Sequence, residues 1–149
     1  MRRKLTEAMQ AAQKARDSER LATLRLILAA IKDRDIAHRG SGRPPVEDSE
    51  ILEVLARMVR QRKESAKAYE EGGRPELAAQ ERREIDIIEA FLPEPMSEEE
   101  IAAAAASAIE EAEAAGPADM GRVMNLLKSR YSGRMDFGRA SARVRALLT

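Results

Sequence analysis

The feature that most constrains the fold is a spacing. Through residues 1–92, apolar side chains recur every three or four positions in four separate stretches, and no stretch alternates as a strand would. The first carries Leu5, Met9 and Ala12 and ends near Asp17 and Ser18. The second carries Leu21, Leu24, Ile27, Leu28 and Ile31, with Arg25, Lys32 and Arg34 largely on the other side, and extends to about Ala37. The third carries Ile51, Leu52, Leu55, Met58, Val59, Ala66 and Tyr69, with Asp48 or Ser49 placed to cap its start. The fourth opens at Pro75, a favourable first-turn residue, and carries Leu77, Ile85, Ile88, Phe91 and Leu92. Each stripe gives a helix one greasy face that has to be covered by another helix.

The breakers between these stretches set the topology. Residues 38–46 hold Gly40, Ser41, Gly42, Pro44 and Pro45, which reads as a mobile loop with His38 as a solvated loop residue. Gly72 and Gly73 end the third helix so closely to Pro75 that the third and fourth must form an antiparallel hairpin. Pro93 and Pro95 stop the fourth, and the extended run Leu92-Pro93-Glu94-Pro95-Met96 divides an N-terminal part, 1–93, from a C-terminal part, 97–149.

The second part announces its first helix with Ser97-Glu98-Glu99-Glu100, a capping box in which Ser97 and Glu100 satisfy each other's exposed N–H groups. Its core face is almost all alanine (Ile101, Ala104, Ala105, Ala108, Ile109, Ala112), which lets two following helices approach closely. Asp119 is placed to cap the next helix, bearing Met120, Val123, Met124 and Leu127. Asp136 is placed to cap the last, bearing Phe137, Ala140, Val144, Leu147 and Leu148, with Phe137 read as buried. The expectation is an all-α protein: a bundle of about four helices joined to a compact three-helix unit. Aromatics at 3% and charged residues at 35% suit that class.

The formal net charge is zero, yet the charges are sorted along the chain. Residues 94–118 hold seven acids and no base, whereas 119–149 hold seven bases and two acids. Cysteine is absent, which removes disulfides, thiolate nucleophiles and cysteine-based metal sites and suits a reducing compartment. The start, Arg2-Arg3-Lys4, is followed by polar interruptions at Thr6, Glu7, Gln10 and Gln13 rather than an apolar signal core, and the longest uncharged apolar run, 101–109, is far short of the roughly 20 residues a membrane span needs. A cytoplasmic protein without membrane contact is expected.

Catalytic equipment is sparse. The only histidine is His38, and Glu81, Glu84 and Glu89 with Arg82 and Arg83 read as a solvated helix face laced by (i, i+3) and (i, i+4) pairs. The glycine pairs are turns, since neither has a phosphate-loop pattern between a strand and a helix. No catalytic residue, metal ligand or cofactor is assigned. What remains is positive charge. Arg60, Lys63 and Lys67 lie along one helical stripe with Arg57 above them, a candidate polyanion surface. In the tail, Arg122, Lys128, Arg130 and Arg134 surround Gly121 and the Gly133 turn, where bare backbone would permit close approach of a phosphate. Only Tyr131 and Phe137 could stack on bases there, and Phe137 is assigned to the core.

Taken in order, Leu24-Arg25-Leu26-Ile27, Gln61-Arg62-Lys63-Glu64-Ser65, Tyr69-Glu70-Glu71-Gly72-Gly73-Arg74, Leu92-Pro93 and Asp119-Met120-Gly121-Arg122-Val123-Met124, with the turn from Gly133 to Asp136, resemble the YqeY proteins over almost the full chain. That family is similar to the tail of the B subunit of the aspartyl/glutamyl-tRNA amidotransferase, with Gly121, Val123, Met124 and Gly133 at the matching places. The resemblance implies a two-part helical protein whose C-terminal part engages tRNA. It also brings a family label of carbon–nitrogen ligase with glutamine as amido-nitrogen donor. The catalytic part of that B subunit has no counterpart in these 149 residues, so the expected role is binding: a tRNA or structured-RNA module supporting an amidotransferase or aminoacyl-tRNA synthetase. The alternative is a helical protein–protein adaptor with no nucleic-acid role.

Overall fold

The computed structural model describes all residues from Met1 to Thr149, and the chain is all-α. It forms α1 (Arg2–Lys14), α2 (Ser18–Gly40), α3 (Asp48–Glu71), α4 (Pro75–Glu89), α5 (Glu98–Glu111), α6 (Met120–Tyr131) and α7 (Phe137–Leu148), with one 3-10 turn at Pro117–Asp119. These fall into two compact units, Met1–Leu92 and Pro93–Thr149.

In the first unit α3 and α4 make the hairpin that Gly72 and Gly73 require. Gly73 adopts φ 73°, a left-handed conformation that favours glycine, and Arg74 N–H closes the turn on Tyr69 O at 2.7 Å. α1 packs on α2, and α2 packs in turn on α3 and α4. The core they enclose is built from the periodic residues: Leu5, Leu24, Ile27, Ile31, Ile51, Leu55 and Ile88, each at most 2% exposed. Burying each such side chain is worth about 1.5–3 kcal/mol, which is where the helices of this unit gain their stability. Val54 and Ala78 join this buried set, whereas Leu77 is only half-buried.

Three boundaries differ from the sequence expectation, each for a local reason. α1 stops at Lys14, because Arg16 turns left-handed at φ 56° and Asp17 serves as the cap of α2, accepting Arg20 N–H at 3.1 Å. α2 runs three residues beyond Ala37, so His38 lies in its last turn, 5% exposed rather than solvated. The connection to α3 is tied down rather than loose: Arg43 N–H reaches His38 O at 2.8 Å, Val46 N–H reaches Asp35 Oδ1 at 2.9 Å, and Arg2 donates to Val46 O at 2.8 Å. Neither Asp48 nor Ser49 caps α3; Glu47 occupies that position without a side-chain hydrogen bond.

The second unit starts as its sequence announces. Glu100 N–H donates to Ser97 Oγ at 3.1 Å and Ser97 N–H to Glu100 Oε1 at 3.2 Å, the complete capping box. Ile101, Ala104, Ala105 and Ala108 of α5 are buried against Val123 and Leu127 of α6 and Ala140 and Val144 of α7. Asp136 caps α7, accepting from Gly138 and Arg139 N–H groups at 3.0 and 3.2 Å. Asp119 precedes α6 but does not cap it. Its carboxylate instead accepts Ala115 N–H at 2.9 Å and Arg122 Nη2 at 2.7 Å, so it ties the α5–α6 connection to the first turn of α6. Those bonds, Ala115 first, hold the Asp119 carboxyl below the usual range. No helix in the chain is long and apolar enough to cross a membrane.

Candidate nucleic-acid interface

The sorted charge of residues 94–149 has a structural outlet. Acids of α5 and its flanks meet bases of α6, α7 and the turn between them: Arg130 pairs with Glu111, Arg134 Nη2 lies 3.6 Å from Glu100, and Arg139 Nη1 lies 3.0 Å from Glu98. Arg130, first of all, holds the Glu111 carboxyl below its ordinary value, and the same bond raises the Arg130 guanidinium. Part of the basic tail therefore serves to draw three short helices together.

Arg134 is the most committed of the four tail bases singled out from sequence. Its Nε donates to Glu94 O at 3.3 Å and its carbonyl accepts Met96 N–H at 2.9 Å, so it staples the start of this unit to the turn between α6 and α7. Gly133 sits in that turn at φ 81°, which favours glycine. Gly121 has a different use. It lies in the first turn of α6 with nothing within 4 Å of where a side chain would begin, leaving bare backbone at the surface.

α6 turns outward Gly121, Arg122, Asn125, Lys128 and Ser129, all exposed, with no carboxylate among them. α7 turns outward Gly138, Arg139, Ala142, Arg143 and Arg145, again without a carboxylate. The acids of the two helices are confined to their starts, at Asp119 and Asp136. Lys128, Arg143 and Arg145 are engaged in no ion pair, whereas Arg122 is paired with Asp119 and is still 62% exposed. Pairs at this exposure are worth about 0–1 kcal/mol, so a phosphate could compete for such a base. Tyr131 and Phe137 are both half-buried, against the expectation that Phe137 is core, and they pack on the alanine face of α5 and its neighbours.

The first-unit stripe is divided. Lys63 turns toward α4, 3.8 Å from Glu89, and lines a cleft of about 480 Å³ between α3 and α4 with Lys67, Glu70, Arg82, Asp86 and Glu89. Arg60 and Lys67 share the exposed face of α3 with Glu53, Glu64 and Glu71, so three acids dilute their field. The structure thus brings Gly121, Arg122 and Lys128 onto one surface, sets Arg130 and Arg134 against α5, and mixes Arg60, Lys63 and Lys67 with carboxylates.

Two polar constellations escaped the sequence reading. Glu84 is no solvated helix residue: Arg62 Nε donates to it at 3.1 Å, with the two side chains 14% and 17% exposed, and the pair straps α3 to α4. Burial, with Glu84 nearby, pushes the Glu81 carboxyl up. At the other end of α2, Arg2 clamps Asp35 with two bonds of 2.7 Å, and His38 sets Nδ1 2.9 Å from Pro44 O and Nε2 3.0 Å from Glu50 Oε2. These partners are 33 and 12 positions apart, and no short motif links them. Both constellations hold helices and a connection in place, and Arg2 and Asp35 also line a recess of about 460 Å³ with Arg39, Arg43 and Pro45.

The chain is thus an all-α protein of two helical units whose helices are tied together by ion pairs. A family model described as Yqey-like protein matches residues 2–148, and the chain belongs to the YqeY family. Among proteins similar to it is the Eremothecium gossypii "Altered inheritance of mitochondria protein 41, mitochondrial", 30% identical over 88 residues, which are 59% of this chain and 46% of that protein. The Saccharomyces cerevisiae protein of the same name is 29% identical over 86 residues, 57% of this chain and 45% of the other. An uncharacterized Schizosaccharomyces pombe protein is 30% identical over 94 residues, 63% of this chain and 70% of its own length. The chain spans about half the length of the first two relatives.

Proposed function

We propose that this chain is a non-catalytic accessory module that holds tRNA or another structured RNA by its phosphate backbone, in support of a tRNA-dependent amidotransferase or an aminoacyl-tRNA synthetase. The observation that carries the reading is the outward surface of α6 and α7, where Arg122, Lys128, Arg143 and Arg145 stand with no carboxylate between the helix starts. Lys128 with Asn125 offers hydrogen-bond donors, and Gly121 leaves the helix surface low enough for a backbone to lie close. Recognition of this kind is of shape and charge: the two aromatics of the unit are half-buried in packing, which leaves stacking on unpaired bases a minor term.

Amide transfer is not assigned. Glu98, Glu100 and Glu111 with Arg139, Arg134 and Arg130 are occupied in joining helices, an arrangement that supports binding better than chemistry. The work is placed in the cytoplasm; the fungal relatives carry a mitochondrial designation in their names, and translation proceeds in that organelle too. The test is a titration of folded tRNA into the full chain at low salt, read by fluorescence anisotropy. Saturable binding is expected, and its absence would remove the RNA reading. The alternative role as a helical adaptor rests on a different surface, the outward face of α2, and the two roles do not exclude one another.

A further inference from the structure

α2 is apolar on two opposite sides. Its inward side, Leu24, Ile27 and Ile31, is core, whereas its outward side carries Ala22, Leu26, Ala29, Ile36 and Ala37. Leu26 is 51% and Ile36 56% exposed, and with Leu147 they are the large aliphatic side chains that this fold leaves most uncovered. They stand ten positions apart on one face, about 15 Å along the helix, with the small Ala29 between them. Such a stripe on an otherwise charge-rich protein asks for a covering surface.

The surroundings say what kind. Along one edge of the stripe run Arg25, Lys32 and Arg39, spaced by seven so that they form a row, and none of the three is in an ion pair. Along the other edge the surface dips into a groove of about 380 Å³ between α2 and α3, lined by Ala30, Ala37, Val54 and Met58 with Asp33, Arg34, Arg57 and Gln61, of which Arg34 is paired with Glu50. Bases therefore flank an apolar strip on both sides, with one acid, Asp33, within it. Several other arginines of this unit are matched with carboxylates, as in the Arg2–Asp35, Arg62–Glu84, Arg82–Glu70 and Arg83–Glu19 pairs. Arg25, Lys32 and Arg39 thus leave a row of uncommitted charge beside apolar surface that is also uncommitted.

We infer that the outward face of α2, with the α2–α3 groove, docks an acidic amphipathic helix of a partner protein. The groove is apolar along its floor, which suits the ridge of a helix, and the unpaired basic row complements acids on the edge of that helix. The partner's apolar residues would recur at i, i+3 or i+4 and i+7 to cover Leu26 and Ile36, with a non-acidic residue opposite Asp33. A flat anionic membrane fits less well, because the apolar content is two aliphatic side chains about 15 Å apart and a recess. The inference rests on the adaptor reading and is independent of the RNA surface on α6 and α7.

The experiment selects displayed 20-residue helical peptides of random sequence against the full-length chain, then measures the enriched peptides by anisotropy. Enriched sequences are expected to carry acids along an apolar stripe, to bind at least tenfold more weakly to Leu26→Asp and to Ile36→Asp, and to lose affinity for Lys32→Glu. Both apolar sites are exposed, so the variants should keep the wild-type circular dichroism and the wild-type tRNA affinity. No enrichment, enrichment without an acidic excess, or undiminished binding to Leu26→Asp would overturn the inference. So would phosphatidylserine-containing vesicles, or tRNA, whose binding is lost on Leu26→Asp while the peptides fail to compete. A failed tRNA titration with a positive peptide arm removes only the RNA reading; the reverse removes only this one.

Discussion

His38 Nε2 lies 3.0 Å from Glu50 Oε2 across the connection between α2 and α3, while its Nδ1 faces Pro44 O at 2.9 Å. Both ring nitrogens thus meet acceptors, one on the loop and one on α3. Arg34 and Arg43 approach the same Glu50 carboxylate at 3.7 Å each, so one carboxylate gathers three partners from α2 and the loop. Replacing His38 by Ala removes the buried ring that links Pro44 O to Glu50 and is expected to cost about 1–3 kcal/mol. Urea unfolding followed by circular dichroism measures it, and a change under about 0.5 kcal/mol would contradict the locking role.

Asp35 provides the acid-sensitive counterpart. The Arg2 guanidinium, with Val46 N–H, holds its carboxyl down at about 2. An unfolded-chain Asp titrates near 3.9, so the folded state binds this proton less readily. Its stabilising contribution is complete above about pH 4–5 and is lost as the pH falls toward 2. Asp35→Asn should lower the melting temperature at neutral pH and flatten the decline between pH 4 and 2. An Asp35→Asn melting curve parallel to wild type over that window would count against the clamp.

The alanine face of α5 makes a steric prediction. Ala105 is fully buried where α6 and α7 converge, so Ala105→Leu should overpack the second unit and cost about 1–3 kcal/mol. Ser97→Ala should cost about 1 kcal/mol by deleting one half of the capping box. Thermal unfolding of the two variants checks both values, and a neutral Ala105→Leu would mean the helices are looser than their packing indicates.

How far the sequence could be read depended on the range of the interactions involved. Local signals translated directly: Ser97 with Glu100, Asp136 before α7, Pro75 at the start of α4 and the Gly72-Gly73 turn all act within a few residues of themselves. Asp119 misled because its carboxylate takes Ala115 N–H and the Arg122 side chain rather than the free backbone N–H groups of α6. His38 and Glu84 misled for a stronger reason. Their surroundings in the sequence are polar and glycine-rich or densely charged, and only partners brought by other helices or by the far side of a loop bury them. The same blindness affected the tail: its run of bases looked free until α5 supplied Glu98, Glu100 and Glu111.

That pairing also predicts a competition. Glu111 occupies Arg130, and its neutralisation would release the guanidinium to a phosphate. Glu111→Gln should therefore tighten tRNA binding, by up to about fivefold, while lowering thermal stability. Unchanged or weaker binding by Glu111→Gln would place Arg130 outside the interface.

The claim that α6 and α7 hold RNA by its backbone is tested most directly by the salt dependence of tRNA affinity for wild type and for Lys128→Gln. Lys128 is exposed and in no ion pair, so its loss should leave folding intact. If it contacts a phosphate, the slope of log K against log salt becomes shallower by about 0.7–0.9 in the variant. An identical slope and affinity for the two proteins would contradict the assignment of this surface.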